Sequence, residues 1–154
     1  MMDKYTERVL RWYASQGKQH KTAAYAIGNG KMLLVGPTAA YMIPWDLDIS
    51  LHVKDWSRDI PKLYTQQMIC GAFHKPLMVE KVEHIMMGFK ERVVTVLINA
   101  DPDSSDPVIR RVMRSDIQRA QTLIKWFAES PAKNVVAYDA DGEPVAMFAQ
   151  VVRR

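Results

Sequence analysis

The chain has 154 residues, 48% hydrophobic and 25% charged, with a formal net charge of +4 and a pI near 9.2. That composition is that of a soluble globular protein with one core, and it leaves little room for two full domains. The single cysteine, Cys70, excludes an intramolecular disulfide and points to a reducing, cytoplasmic setting. Residues 1–11 mix acids and bases without the apolar run of a secretory signal, and no apolar stretch approaches the roughly 20 residues of a bilayer span, so no membrane association is expected.

In chain order, residues 6–16 place Val9, Leu10, Trp12 and Tyr13 on one side of a short amphipathic helix, with Arg8, Arg11 and Gln16 largely on the other and Gly17 ending it. Residues 22–27 and 31–35 are strand-like runs separated by Gly28-Asn29-Gly30, the turn chemistry of a tight hairpin. After Pro37, residues 39–43 predict a further strand closed by Pro44. Residues 46–53 alternate Leu47, Ile49, Leu51 and Val53 with polar partners, the period of a strand with one wet face. Ser57 or Asp59 can cap a second helix that runs through Leu63, Tyr64, Gln67 and Met68 to Gly71. Residues 79–89 and 91–100 read as a second hairpin, and an acidic, proline-bearing loop follows at 101–107. From Ser115, a good N-cap, Ile117, Ala120, Leu123, Ile124 and Phe127 recur at helical spacing until Ser130-Pro131. Residues 134–138 and 144–152 flank Asp139-Ala140-Asp141-Gly142 as a third hairpin. The sum is an α+β fold of antiparallel, hairpin-linked strands packed with about three helices, since a parallel sheet would need helical crossovers between most neighbours.

Basic residues gather in two segments. Lys4, Arg8, Arg11, Lys18, Lys21 and Lys31 stand against Asp3 and Glu7, and Arg110, Arg111, Arg114, Arg119 and Lys125 against Asp106 and Asp116. On one surface they would track phosphates; as solvated helix faces they would only confer solubility. Asp46-Leu47-Asp48 puts two carboxylates on one strand face, a pair able to share a divalent cation with a nucleotide. Preceded by Leu34-Val35-Gly36-Pro37, it is similar to the nucleotidyltransferase pattern, with Glu80 or Glu83 as the third carboxylate, although Pro37 cannot donate a backbone N–H to phosphate. Gly28-Asn29-Gly30-Lys31 lacks the glycine spacing of a phosphate loop, and Asp101, Asp103 and Asp106 lack the glycine and closing glutamate of a calcium loop. His20, His52, His74 and His84 have no metal-ligand spacing, and Cys70 has no second thiol, so neither metal nor cofactor is expected.

Leu123-Ile124-Lys125-Trp126-Phe127, then Asn134-Val135-Val136-Ala137-Tyr138-Asp139-Ala140-Asp141-Gly142-Glu143-Pro144-Val145-Ala146-Met147 and the terminal Val151-Val152-Arg153, resemble in order and pattern the closing unit of DNA sliding clamp domains. The N-terminal helix and the paired strands of 25–44 look like the matching first unit. The resemblance implies two helix-plus-sheet units, about 1–75 and 76–154, in a clamp-like arrangement whose sheets face outward and whose helices line a basic channel. It further implies a non-enzymatic homo-oligomer, phage-related or from a mobile element, that contacts duplex DNA without sequence preference or docks replication proteins. Arg8, Arg11, Arg119 and Lys125 are then the channel-side residues. An interaction domain with no nucleic-acid role is the alternative, and a divergent nucleotidyltransferase using Asp46 and Asp48 is the second.

Overall fold

The computed structural model describes residues 3–16, 22–28, 30–45, 53, 55–59, 77–87, 91–98, 108–129 and 134–150. Helix α1 (Lys4–Gln16) is followed by β1 (Ala23–Gly28), β2 (Lys31–Val35), β3 (Ala39–Pro44), β4 (Trp56–Ser57), β5 (Leu77–Met87), β6 (Glu91–Ile98) and β7 (Val108–Met113). Helix α2 (Arg114–Ala120) then leads to β8 (Trp126–Glu129), β9 (Val135–Tyr138) and β10 (Pro144–Phe148). Among the described residues the strands form one sheet of ten, in the order β4-β1-β2-β3-β10-β9-β8-β5-β6-β7. Every pairing is antiparallel except the two-residue contact of β4 with β1, so the α+β class read from the hairpins holds.

The turn residues set the local hairpins. Gly28 and Gly30 adopt φ of 88° and 69°, which side-chain-bearing residues rarely tolerate, and Gly142 at 77° closes the turn between β9 and β10. At the β2–β3 turn the Gly36 N–H donates to the Ala39 carbonyl at 2.8 Å, with Pro37 supplying the fixed φ of a turn position. Helix α1 is capped by Asp3, whose Oδ1 accepts the Thr6 N–H at 2.7 Å.

A repeat of order appears once the strands are placed. Helix α1 precedes β1, β2 and β3; helix α2 precedes β8, β9 and β10. The last strand of each series meets the other at an antiparallel seam, with Tyr41 opposite Ala146, Ala40 opposite Met147 and Ala39 opposite Phe148. Both helices pack on the same face of the sheet, over a core of Tyr5, Val9, Trp12, Leu34, Tyr41, Ile43, Ile117, Phe127 and Phe148. Tyr41 centres it, in edge-on contact with Trp12 at 4.9 Å, Phe148 at 6.1 Å and Tyr5 at 6.5 Å between ring centroids. The opposite face of the same strands buries Leu33, Val35, Ala40, Met42, Val136, Tyr138 and Met147. Burial on both faces explains why β2, β3, β9 and β10 read as continuous apolar runs instead of alternating ones.

Tyr5 fastens α1 across the seam. Its hydroxyl donates to the Met42 carbonyl at 2.6 Å and lies 3.1 Å from that of Val145, one on β3 and one on β10. The register of β10 against β9 shifts between Pro144 and Ala146, which leaves Val145 outside that ladder.

Three expectations change. The helix expected to run from Ser115 to Ser130 ends at Ala120, and residues 126–129 form β8 against β9. Met113, not Ser115, occupies the N-cap position, with no side-chain cap. Ser57, a candidate cap for the second helix, lies in β4; most of that helix and of the strand at 46–53 falls outside the described residues, among which two helices are present.

Candidate nucleic-acid interface

The polar face of α1 is solvent-facing as its spacing predicts. Lys4, Glu7, Arg8 and Arg11 are exposed, opposite the buried Tyr5, Val9 and Trp12. Arg11 pairs with Glu7 at 3.2 Å, one turn apart, with side chains 77% and 56% exposed. Such a pair contributes only about 0.3–0.5 kcal/mol and is screened by salt, so Arg11 keeps its capacity to bind an anion.

Arg119 is differently placed. Its Nη1 lies 2.6 Å from Asp116 Oδ1 and 3.3 Å from the Tyr41 hydroxyl, and its guanidinium stacks over the Trp12 ring at 5.1 Å. Asp116 is itself buried and accepts a second bond from the Thr38 hydroxyl at 2.7 Å, while Tyr41 donates to the Asp116 backbone carbonyl at 2.7 Å. Burial raises the Tyr41 phenol well above its usual range, and the Asp116 carboxylate adds to the effect against the opposing pull of Arg119. The cluster ties α2 to α1 and to the β2–β3 turn; Arg119 neutralises a buried carboxylate instead of presenting a free charge.

Lys125 is exposed, but not on a helix. It lies just before β8, where its backbone N–H donates to the Tyr138 carbonyl at 2.8 Å and opens the β8–β9 ladder. Of the four bases assigned to helix faces, Arg8 and Arg11 sit together on α1, Arg119 is paired with Asp116 on α2, and Lys125 lies between α2 and β8.

The other constellations find structural roles or fall outside the described residues. A Cβ on Gly36 would lie 2.5 Å from Trp12 Cζ2, so this glycine admits the indole and its turn needs no phosphate to explain it. Asp46 and Asp48 lie outside the described residues, as do Cys70, His20, His52 and His74. Among the described residues no group of histidine, cysteine and carboxylate side chains is arranged to hold a metal, and no helix is long and apolar enough to cross a membrane. Trp45 and Trp56 pack edge to face at 4.5 Å, half-buried against the helix-side core, with Arg58 5.6 Å from the Trp56 ring.

One feature was visible only as charge. Arg110 and Arg111 lie on β7 and Arg114 opens α2, all three half-buried. Their signal was the excess of bases between 106 and 125; what the sequence lacked was the strand that gathers them. Comparison with protein families, with curated proteins and with solved structures finds no match to this chain.

Proposed function

We propose that the chain is a non-enzymatic, clamp-like scaffold that holds duplex DNA through phosphate contacts without reading its sequence. The observation that carries this reading is the repeated order of one helix and three strands, joined at the β3–β10 seam with both helices side by side on one face. A sheet behind a helix layer can hold basic side chains at fixed separations, which is what contact with a regular polyanion requires. Exposed Lys4, Arg8 and Arg11 on α1 and the positive net charge support it. Encirclement of DNA by a chain of this size requires several copies, so the reading includes a homo-oligomer.

Fluorescence anisotropy with a labelled duplex, run beside sedimentation to give the solution mass, tests the reading. Affinity is expected to fall at least tenfold between about 50 and 200 mM salt, equally for unrelated sequences, in an oligomer. A monomer that ignores duplex at the lower salt would overturn it in favour of an interaction domain with no nucleic-acid role.

A further inference from the structure

We infer that Arg111 and Arg114, at the junction of β7 and α2, grip the phosphates of bound nucleic acid. The inference rests on the nucleic-acid reading above but moves the principal contacts away from the helix faces to one end of the sheet.

Among the described residues β7 is the outermost strand, paired with β6 on one side only. Arg111 lies on it and Arg114 follows directly after it, and no acid intervenes between Asp106 and Asp116. Register sets no carboxylate directly opposite Arg111. Its backbone partner across the ladder is Thr95, and the next position inward in that row is Glu83 on β5, about 10 Å away across two strand spacings. The contrast is with Arg119, five residues after Arg114, which has its carboxylate at 2.6 Å.

The side chains are also held in place. The Nε atoms of Arg111 and Arg114 are buried without a hydrogen-bond partner among the described residues, while each residue as a whole is half-exposed. Both stems are therefore packed as far as Nε, so a phosphate would meet donors whose ordering is already partly complete. An unsatisfied N–H beside the fork gives each guanidinium a further donor to gain on a small rotation toward a phosphate oxygen. A guanidinium fork matches phosphate in two-bond geometry, whereas an ammonium would meet it as a point charge. A nucleic-acid backbone also supplies phosphates at regular spacing to both arginines at once.

The experiment is duplex binding across a salt series for the wild type, for Arg111→Gln with Arg114→Gln, for the paired Lys variants and for Arg8→Gln with Arg11→Gln. The Gln pair is expected to weaken binding at least tenfold at low salt and to reduce the slope of log affinity against log salt by roughly 2, about one per lost contact. The Lys pair should recover the slope but only part of the affinity. The Nε–H resonances of Arg111 and Arg114 in the wild type should shift on adding duplex, a readout that survives if a variant folds poorly. Wild-type binding with unmoved resonances and an unchanged slope in the Gln pair would overturn this inference alone and return the contacts to α1. A wild type that does not bind duplex would overturn the functional reading and this inference together. Polyglutamate bound as tightly as duplex, with the same loss in the Gln pair, would make the partner an acidic protein and overturn the nucleic-acid assignment.

Discussion

Two buried tyrosines show how the same hydroxyl can stabilise or burden a fold. Tyr5 donates across the seam to a β3 carbonyl and closely approaches a β10 carbonyl that its own ladder omits. Tyr138 is 1% exposed on the opposite face of the sheet, and its hydroxyl has no partner among the described residues. Removing a donor that buried acceptors depend on costs their desolvation, about 1–3 kcal/mol, whereas removing an orphaned hydroxyl relieves such a penalty. Tyr5→Phe is therefore expected to lower the urea midpoint and Tyr138→Phe to hold or raise it, with unchanged slopes; a fall for Tyr138→Phe comparable to that for Tyr5→Phe would show a partner at that phenol. The same scale marks how far the candidate site was legible. Arg8 and Arg11 follow from helical spacing, because solvent exposure on a short amphipathic helix is a local property. The fate of Arg119 is not local: Asp116 stands three residues before it, but Thr38 and Tyr41, which share the cluster, are 78 residues away in sequence from Asp116 and Arg119 respectively. Asp116→Asn keeps the shape but removes the charge that Arg119 faces, and the expected loss is roughly 3 kcal/mol in chemical denaturation, since one partner of a largely buried pair is left uncompensated.

At the scale of elements, the fit of α1 on the sheet turns on one contact. Trp12 comes so close to Gly36 that a methyl there would overlap the indole, and the same indole meets Tyr41 in a T-shaped contact and carries Arg119 over its ring. Gly36→Ala should cost about 1–3 kcal/mol by overpacking in the wild type. In a Trp12→Phe background that cost should largely vanish, so the double-mutant cycle is expected to give a coupling above about 1 kcal/mol. Equal costs in both backgrounds would locate the demand for glycine in the turn itself. The elements that were legible are those whose signals are local: Gly28 and Gly30 at one hairpin, Gly142 at another, and the β-rich runs that became β5 and β6. Strand β8 was not, because Leu123, Ile124 and Phe127 fit a helical period equally well and periodicity does not separate helix from strand in so short an apolar run. The decision lies in the ladder of residues 126–129 with 135–138, opened by the Lys125 N–H on Tyr138. Strand β7 escaped for a related reason: two adjacent arginines interrupt its apolar alternation, and its place is set by pairing with β6.

For the molecule as a whole, the seam makes the tyrosines a common reporter of integrity. Tyr5 and Tyr41 point into the core between the helices and one face of the sheet, Tyr138 lies on the other face, and Tyr13 is half-buried near the end of α1. Burial is the leading reason that all four phenols hold their protons above the usual value, with the Asp116 carboxylate adding to it at Tyr41 and the Tyr41 phenol at Tyr5. In the unfolded chain these groups ionise near pH 10, while the folded chain still binds their protons, so above that point the unfolded state binds fewer protons than the native one. Stability from this source is therefore complete below about pH 10 and is lost as pH rises toward the raised folded values. Because the seam strands connect both faces, ionisation and unfolding should be one event: the main rise in phenolate absorbance is expected to coincide with loss of near-ultraviolet circular dichroism, in a cooperative step above about pH 10. Tyr41→Phe should leave that step cooperative while removing one phenolate from its amplitude. Phenolate absorbance that rises to completion while the dichroism persists would mean that water reaches these side chains in the folded state, and the two-faced core around the β3–β10 seam would then be wrong.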